Sequence, residues 1–323
     1  TFFIFLTVFG LSVVFPCKAF LSGVGQVKDG DIVILPPEGP AEVEWQFNVQ
    51  NIEEVRHRYW YFTSSDGTLK GETLAKIDGD GIPEIETKRL AGVEIRKPAT
   101  LVLKHVNQSY NGSYSFHVVA GSGGGAFIVT VIIAEKPKVT VSCSRTNPVI
   151  EGDNFECLCK GEEGNPGPAD VTWYDNNGQP IGTGKGEKLL TFNNVTRAKN
   201  GNYKCEAKTH EQAKNETSIQ LIVKYVPDIT RFISSPAKPV VGQSVTITCV
   251  AIAHSKPNYT IIRNGTIVST GGPYIISKVT KDHAGKYMCK ATNALGQDLE
   301  IYTLVVDEKS ETGSGLSVGA IVG

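Results

Sequence analysis

The chain has 323 residues, 40% of them hydrophobic, and a formal net charge of −1 at pH 7. This length allows two or three domains with ordinary apolar cores. The near-neutral charge and the lack of lysine or arginine runs exclude the electrostatic footprint expected for a nucleic acid partner or an anionic membrane surface.

The first residues form an apolar run, TFFIFLTVFGLSVVFPCKAF, with small residues at Cys17 and Ala19. This pattern is typical of a secretory signal before its cleavage site. It has no initiator methionine or basic segment, so we interpret residues 1–19 as an N-terminally incomplete signal peptide, a buried core helix being the alternative. Its removal takes Cys17 away and leaves six cysteines, an even number that favours disulfides in an oxidising compartment.

One short pattern, Gly-x-Tyr-x, occurs three times along the remaining chain, in YNGSYSF, KNGNYKC and HAGKYMC. The tyrosines are Tyr114, Tyr203 and Tyr287, spaced 89 and 84 residues apart. A repeat of this length corresponds to a small domain rather than to a solenoid unit. The spacing therefore predicts three tandem domains of similar architecture.

Two of the three copies end in a cysteine that has a partner upstream. Cys159 precedes Cys205 by 46 residues, and Cys249 precedes Cys289 by 40. The upstream cysteines lie in alternating runs typical of strands, and Trp173 follows Cys159 by 14 residues. Cysteine, then tryptophan, then Tyr-x-Cys within about 90 residues resembles the immunoglobulin superfamily.

The resemblance implies an all-β fold of three tandem immunoglobulin-like β-sandwich domains. It implies the bridges Cys159–Cys205 and Cys249–Cys289, and a corner tyrosine in each copy. We expect domains at 20–135, 136–224 and 225–307, followed by a stalk at 308–314. Short joins that contain proline favour a semi-rigid arrangement of neighbouring domains. In domain three, Ile261 stands where the family has tryptophan.

Domain one lacks the sulfur pair and is long enough for the extra strands of a variable-type sandwich. Phe116 takes the place of the second cysteine, and we assign Leu35 or a neighbour in GDIVILP to the first and Trp45 to the core tryptophan. Burying such side chains contributes roughly 1.5–3 kcal/mol each, so packing substitutes for the bridge. A distal domain of this kind, together with NGSYSFHVV and GLSVGAIVG, resembles the carcinoembryonic-antigen-related adhesion receptors.

The remaining cysteines, Cys143 and Cys157, have no counterpart in domain three. As zinc ligands they would need two more Cys or His residues at a fitting spacing, so a second disulfide is favoured. Because Cys157 and Cys159 point to the same strand face, the alternative is that they exchange partners. Six scattered histidines and the absence of a Ser/His/Asp or Cys/His arrangement indicate no catalytic residue, metal or cofactor.

Two further features predict an extracellular, membrane-anchored glycoprotein. Residues 315–323 form an apolar run that we interpret as the start of a transmembrane helix, a lipid-anchor signal being the alternative. Six Asn-x-Ser/Thr sequons predict glycosylation. They are Asn107, Asn111, Asn194, Asn215, Asn258 and Asn264.

The expected function is cell–cell adhesion or recognition by a type I plasma-membrane protein. Its partner would be a protein on an apposed cell, including a second copy of itself. An immune-type receptor for a soluble or microbial ligand and a secreted matrix protein are the alternatives. From strand parity and from the contact sheet usual in variable-type domains, we predict a binding face on domain one. Its residues are Glu44, Gln46, Asn48, Tyr59, Tyr61, Ser115 and His117.

Overall fold

A computed structural model describes residues 13–14, 17–21, 25–47 and 52–309. By their contacts, these residues fall into two compact units. The first comprises Thr1–Cys143, Glu156–Leu190 and Asn202–Ile219, and the second comprises Ser144–Phe155, Thr191–Gly201 and Gln220–Gly323. Segments of 136–224 occur in both units, so the predicted domain boundaries at 135 and 224 remain predictions.

Domain one contains twelve described strands and two short 3-10 helices. They are β1 Val13–Val14, β2 Cys17–Leu21, β3 Gly25–Val27, β4 Ile32–Leu35, β5 Ala41–Phe47, η1 Ile52–Glu54, β6 Val55–Ser64, β7 Glu72–Asp78, β8 Glu84–Ile85, β9 Val93–Arg96, β10 Thr100–Leu103, η2 Gln108–Tyr110, β11 Gly112–Ala120 and β12 Gly123–Ile133. One sheet has the order β1-β12-β11-β6-β7-β8, with β4 also paired to β12, and the other has the order β3-β2-β5-β10-β9.

Both units contain elements from residues 136–224, which form eight strands and one short 3-10 helix. These are β13 Lys138–Cys143, β14 Val149–Ile150, β15 Phe155–Glu162, β16 Asp170–Tyr174, β17 Pro180–Lys185, β18 Glu187–Phe192, η3 Arg197–Lys199, β19 Gly201–His210 and β20 Ala213–Leu221. The elements that follow are β21 Val223–Ser235, β22 Val245–His254, β23 Asn258–Arg263, β24 Thr266–Thr270, β25 Tyr274–Ile276, η4 Lys281–His283, β26 Gly285–Thr292 and β27 Gln297–Leu304. Domain three has the sheets β24-β23-β26-β27 and β14-β21-β22-β25, the latter joined by the short strand β14.

Strand alternation builds the core of domain one. Along β6, Trp60 and Phe62 are fully buried while Tyr59 and Tyr61 are half-buried, because successive side chains of a strand point to opposite faces. The same alternation on β11 buries Phe116. The buried rings meet the apolar side chains of the opposite sheet in one continuous cluster.

The pairing register corrects the assignment of the core tryptophan. Trp173 pairs with Cys205, and Ile261 pairs with Cys289. In domain one the residue paired with Phe116 is Trp60 on β6. Trp45, which we assigned to that place, lies on β5 of the other sheet and stacks on the Phe116 ring at 5.5 Å between centroids. Trp45 therefore occupies the place of the first cysteine.

The expectation for Leu35 is also wrong. Strand β4, which contains Leu35, pairs in parallel with β12. It therefore belongs to the sheet that carries Phe116, whereas a residue replacing the first cysteine must come from the opposite sheet. Leu35 is buried and contributes to the core at the edge of its sheet.

Three disulfides are present, Cys143–Cys157, Cys159–Cys205 and Cys249–Cys289, the same pairs that the sequence predicts. Cys143 and Cys157 lie directly opposite each other on the paired strands β13 and β15. The strand pairing therefore favours this bridge over an exchange with Cys159.

Domain one extends further toward the N-terminus than residue 20. Strand β2 begins at Cys17 and pairs with β5, and its Ala19 and Leu21 are buried. A boundary after residue 19 would cut this strand. Cys17 forms no disulfide, and desolvation by burial raises its pKa to about 11. The rest of the predicted signal peptide lies mostly outside the described residues.

Candidate protein-binding face of domain one

The outward side of β6 carries a row of rings. His57, Tyr59 and Tyr61 alternate with buried residues, so their rings line up along the strand. The centroids of His57 and Tyr59 are 5.8 Å apart and those of Tyr59 and Tyr61 are 6.0 Å apart, both pairs stacked. Such rows present rigid, amphipathic contact area, which protein interfaces favour.

Strand β11 adds two polar residues beside this row. Ser115 pairs with Tyr61 and His117 pairs with Tyr59, so all four side chains are on one side of the sheet. The His117 ring meets the Tyr61 ring edge-on at 5.1 Å. We call the set His57, Tyr59, Tyr61, Ser115 and His117 the ladder face.

Ion pairs border the ladder face on the β7 side. His57 Nδ1 lies 2.8 Å from the Asp78 carboxylate. Lys76 Nζ lies 3.2 Å from Glu84 and 3.3 Å from Glu86, and these hydrogen bonds raise the pKa of Lys76. Exposed pairs of this kind add little stability, so their effect is to give a charged rim to an aromatic centre.

Two groups of the ladder face are partly withdrawn from water. Desolvation lowers the pKa of His117, so its ring is held in the neutral form. Desolvation also raises the pKa of Tyr61, with Tyr59 and Glu86 adding to the effect, so its hydroxyl keeps its proton. The centre of the ladder face is therefore uncharged at neutral pH and offers a neutral hydrogen-bonding surface.

Two predicted face residues are not part of this surface, and a third cannot be placed. Glu44 and Gln46 lie on β5 in the opposite sheet, where Gln46 donates a hydrogen bond to Glu44 at 3.2 Å. The prediction placed β5 in the contact sheet because it took Trp45 for the tryptophan of that sheet. Asn48 lies outside the described residues. The structure thus groups four of the seven predicted residues and separates Glu44 and Gln46 from them.

Sequence reasoning missed several residues on or beside the ladder face. His57 continues the alternation of Tyr59 and Tyr61 by one step, a signal that was available in the sequence. Val119 and Ile128 expose 42% and 45% of their surface and pair into the same sheet from β11 and β12. Lys76 could not be found without the register of β7 against β6.

The six sequons lie at different places along the chain. Asn107 and Asn111 flank η2, and Asn194, Asn215, Asn258 and Asn264 belong to later parts of the chain. All are exposed except Asn111, which is half-buried.

Within the described residues, no group of three or more His, Cys, Asp or Glu side chains has an arrangement that could hold a metal ion. No helix in that part of the chain has the length and apolar character needed to cross a membrane. The predicted transmembrane start at 315–323 lies outside the described residues.

Comparison with known proteins identifies the fold. Residues 136–209 and 227–293 match the family model described as immunoglobulin domain. With the two sheets of domain one, the chain is a tandem of immunoglobulin-like β-sandwich domains, as the sequence predicts.

Similar curated proteins are named limbic system-associated membrane protein. The chicken (Gallus gallus) protein is 28% identical over 260 residues, which cover 76% of this chain and 72% of that protein. The rat (Rattus norvegicus) protein is 28% identical over 228 residues, which cover 66% of this chain and 64% of that protein. The chain thus spans less than two thirds of the rat relative.

Two solved structures share the fold. The full ectodomain of mouse nectin-like molecule 4, domains Ig1–Ig3, has a TM-score of 0.57 at 18% identity, covering 91% of this chain and all of that chain. The complex of Dpr2 Ig1–Ig2 with DIP-Theta Ig1–Ig3 has a TM-score of 0.53 at 20% identity, covering 86% and 99%. At this identity the two structures establish the fold alone.

Proposed function

We propose that the chain is a cell-surface adhesion or recognition protein that binds a protein partner through the ladder face of domain one. The observation that carries the proposal is the stacked row of His57, Tyr59 and Tyr61 on an accessible sheet. A monomeric protein usually buries its rings or separates them, whereas interfaces concentrate aromatic residues. The membrane-protein names of the curated relatives support a plasma-membrane location.

Self-association is the first partner hypothesis. The ladder face has a neutral centre and a rim of both signs, with Asp78, Glu84 and Glu86 beside Lys76. Two copies can therefore meet without a large repulsion between like charges. The resemblance to the carcinoembryonic-antigen-related receptors and the type I membrane topology are parts of this proposal.

A bead assay tests it with the full chain. The protein is attached by its C-terminal end to beads, because avidity makes weak single contacts measurable. The test variant is Tyr59→Ala/Tyr61→Ala, and the matched control is Glu44→Ala/Gln46→Ala on the opposite sheet of the same domain. We expect the wild type and the control to cluster and the test variant to lose clustering, with unchanged thermal melts for both variants.

The other outcomes have defined meanings. Clustering that survives loss of both tyrosines overturns the ladder face as the binding site. If wild-type beads do not cluster but bind cells that lack the protein, and this binding needs Tyr59 and Tyr61, the partner is heterophilic. Binding to such cells that does not depend on the two tyrosines removes the support for the proposed site. If the protein is instead an immune-type receptor, we expect it to bind a soluble or microbial ligand.

A further inference from the structure

An apolar row crosses the outward face of one sheet in domain three. Ile262 on β23 pairs directly with Ile267 on β24 and with Met288 on β26, and Met288 pairs with Ile301 on β27. Directly paired residues share a face, so the four side chains form one line across four strands. Ile267 and Ile301 expose 60% and 63% of their surface, and the two central residues are half-buried. We call these four residues the apolar row.

The same sheet position is polar in the other two repeats. In each repeat, an outward pair adjoins the inward pair that contains the second cysteine or its replacement. These outward pairs are Tyr61 with Ser115, Tyr174 with Lys204, and Ile262 with Met288. The first two contain hydroxyl or charged groups, whereas the third is wholly apolar. Contiguous exposed apolar residues usually mark a surface that another group covers.

Two sequons lie on the strand that carries the centre of the row. Asn258 is the first residue of β23 and Asn264 directly follows the strand, and both are exposed. Asn258 and Ile262 are an even number of residues apart, so they point to the same face of the sheet. At about 3.3 Å per residue, the two asparagines lie within about 13 Å and about 7 Å of Ile262 along the chain. The other four sequons lie on neither of the corresponding strands, β6 and β16.

Lysines flank the apolar row on β26. Lys286 and Lys290 lie two residues before and two residues after Met288 and therefore share its face. The outward positions of the described strands β23, β26 and β27 hold no acidic residue. Two copies of this face would bring lysines together without a counter-charge, which disfavours a second copy as the occupant. Ammonium groups can instead donate hydrogen bonds to sugar hydroxyls, while the C–H groups of the sugar ring contact aliphatic side chains.

We infer that N-linked glycans on Asn258 and Asn264 lie over the apolar row and close this face of domain three to protein partners. In each attachment, Asn Nδ2 loses a proton and forms a bond to the first carbon of the sugar, which leaves its lipid pyrophosphate donor. The sugars nearest the protein then have an apolar surface to pack on and lysine donors on both sides of it. The inference rests on the proposed cell-surface function, since this modification requires the secretory pathway.

Met288 gives a direct readout of the cover because the sequence contains a single methionine. The bulky oxidant tert-butyl hydroperoxide transfers one oxygen to the Met288 sulfur and leaves tert-butanol, and mass spectrometry of the peptide measures the rate. The full chain is expressed in a eukaryotic secretory host and is compared before and after a glycan amidase removes whole glycans from the folded protein. We expect oxidation to become several-fold faster after glycan removal.

Two variants assign the effect to the glycans on β23. Asn258→Gln/Thr266→Val removes both sequons and keeps Asn264, whose backbone is left-handed with a φ of 49°. This variant should be oxidised rapidly with or without the amidase. Asn215→Gln, which removes a sequon from β20, is the matched control and should behave as the wild type does. Thermal melts of all samples establish that the fold is retained.

The results separate this inference from the proposed function. An unchanged oxidation rate after removal of glycans that were present on Asn258 and Asn264 overturns the inference. Their absence from these two sequons while other sequons are occupied also overturns it. Absence of glycans from all six sequons instead contradicts the secretory location and hence the proposed function.

An apolar fluorescent dye provides a second measurement that does not depend on the methionine. Loss of both glycans should raise dye fluorescence several-fold. Adding Ile267→Thr/Ile301→Thr should return the fluorescence to the wild-type level, because the exposed ends of the row become polar while both residues keep the β-branched shape that strands favour. A rise that persists with the two threonines overturns the apolar row as the covered surface.

Discussion

Phe116→Ala is the substitution that most directly tests how domain one folds without an inter-sheet disulfide. The Phe116 ring is fully buried, and its centroid lies 5.1 Å from Trp60, 5.5 Å from Trp45 and 5.7 Å from Phe47. Removing a buried phenylalanine costs about 3–5 kcal/mol, and each ring pair adds about 0.5–1.5 kcal/mol beyond its buried area. We expect a loss of about 4–5 kcal/mol in the free energy of unfolding.

This magnitude is close to that of the missing bridge. Closing a loop of 46 residues, as Cys159–Cys205 does, contributes about 4 kcal/mol in the chain-entropy estimate. An aromatic cluster that contributes a similar free energy explains why a domain with a total stability of about 5–15 kcal/mol can fold without the inter-sheet disulfide. The expectation is therefore that reductant leaves the unfolding of domain one unchanged.

Urea unfolding followed by tryptophan fluorescence measures the effect. Of the three tryptophans, Trp45 and Trp60 lie in domain one, so a Trp173→Phe background confines the signal to that domain. Phe116→Ala should lower the midpoint by roughly 2–4 M urea, and the milder Phe116→Leu, which keeps the domain folded, by about 1 M. A shift below about 0.5 M for the alanine variant, or a midpoint that falls with reductant, refutes the reasoning.

Two other predictions concern pH and the segment after β20. Burial lowers the pKa of His117 below its unfolded value near 6.5, so the unfolded chain binds more protons and domain one loses stability as the pH falls below about 6.5. His117→Gln should reduce this loss in melts recorded from pH 7 to 5, and an equal loss in both proteins contradicts the assignment. Arg197 forms a two-pronged pair with Glu151 and stacks on Tyr225 at 4.0 Å, so Arg197→Ala should accelerate tryptic cleavage after Lys224. Equal cleavage rates in the two proteins would refute this role.

The disulfide-bonded domains could be predicted from the sequence because each cysteine identifies the strand position that an inter-sheet bridge occupies. The separations of Cys159 from Cys205 and of Cys249 from Cys289 indicated two sandwiches, and the lack of further Cys or His ligands at a fitting spacing favoured a disulfide for Cys143 and Cys157. Strand parity left the exchange of Cys157 with Cys159 open, and only the register of β13 against β15 decides between them. The three bridges of the structure agree with the predicted pairs.

Domain one was harder because a hydrophobic residue does not identify its strand. Trp45 and Trp60 both lie in alternating runs, and Trp60 follows Trp45 by 15 residues, nearly the interval from Cys159 to Trp173. Trp45 therefore corresponds to Cys159. Domain one has no cysteine at this position, so the sequence does not show from which residue the interval should be counted. Because Trp45 was assigned to the contact sheet, Glu44 and Gln46 were assigned to it as well. Tyr59 and Tyr61 were chosen because tyrosine suits interfaces, and His117 was chosen by parity within its own strand.

The strands that replace the disulfide also build the proposed binding face. On β6, Trp60 points into the core between Tyr59 and Tyr61, which point outward, and on β11 Phe116 alternates in the same way with Ser115 and His117. Because side chains in a packed core occupy fixed positions, the inner rings determine where the outer rings lie. Changes of Tyr59 and Tyr61 should therefore affect binding without affecting stability, whereas core changes affect both. In domain one, the aromatic packing that replaces the inter-sheet disulfide also positions the side chains of the ladder face.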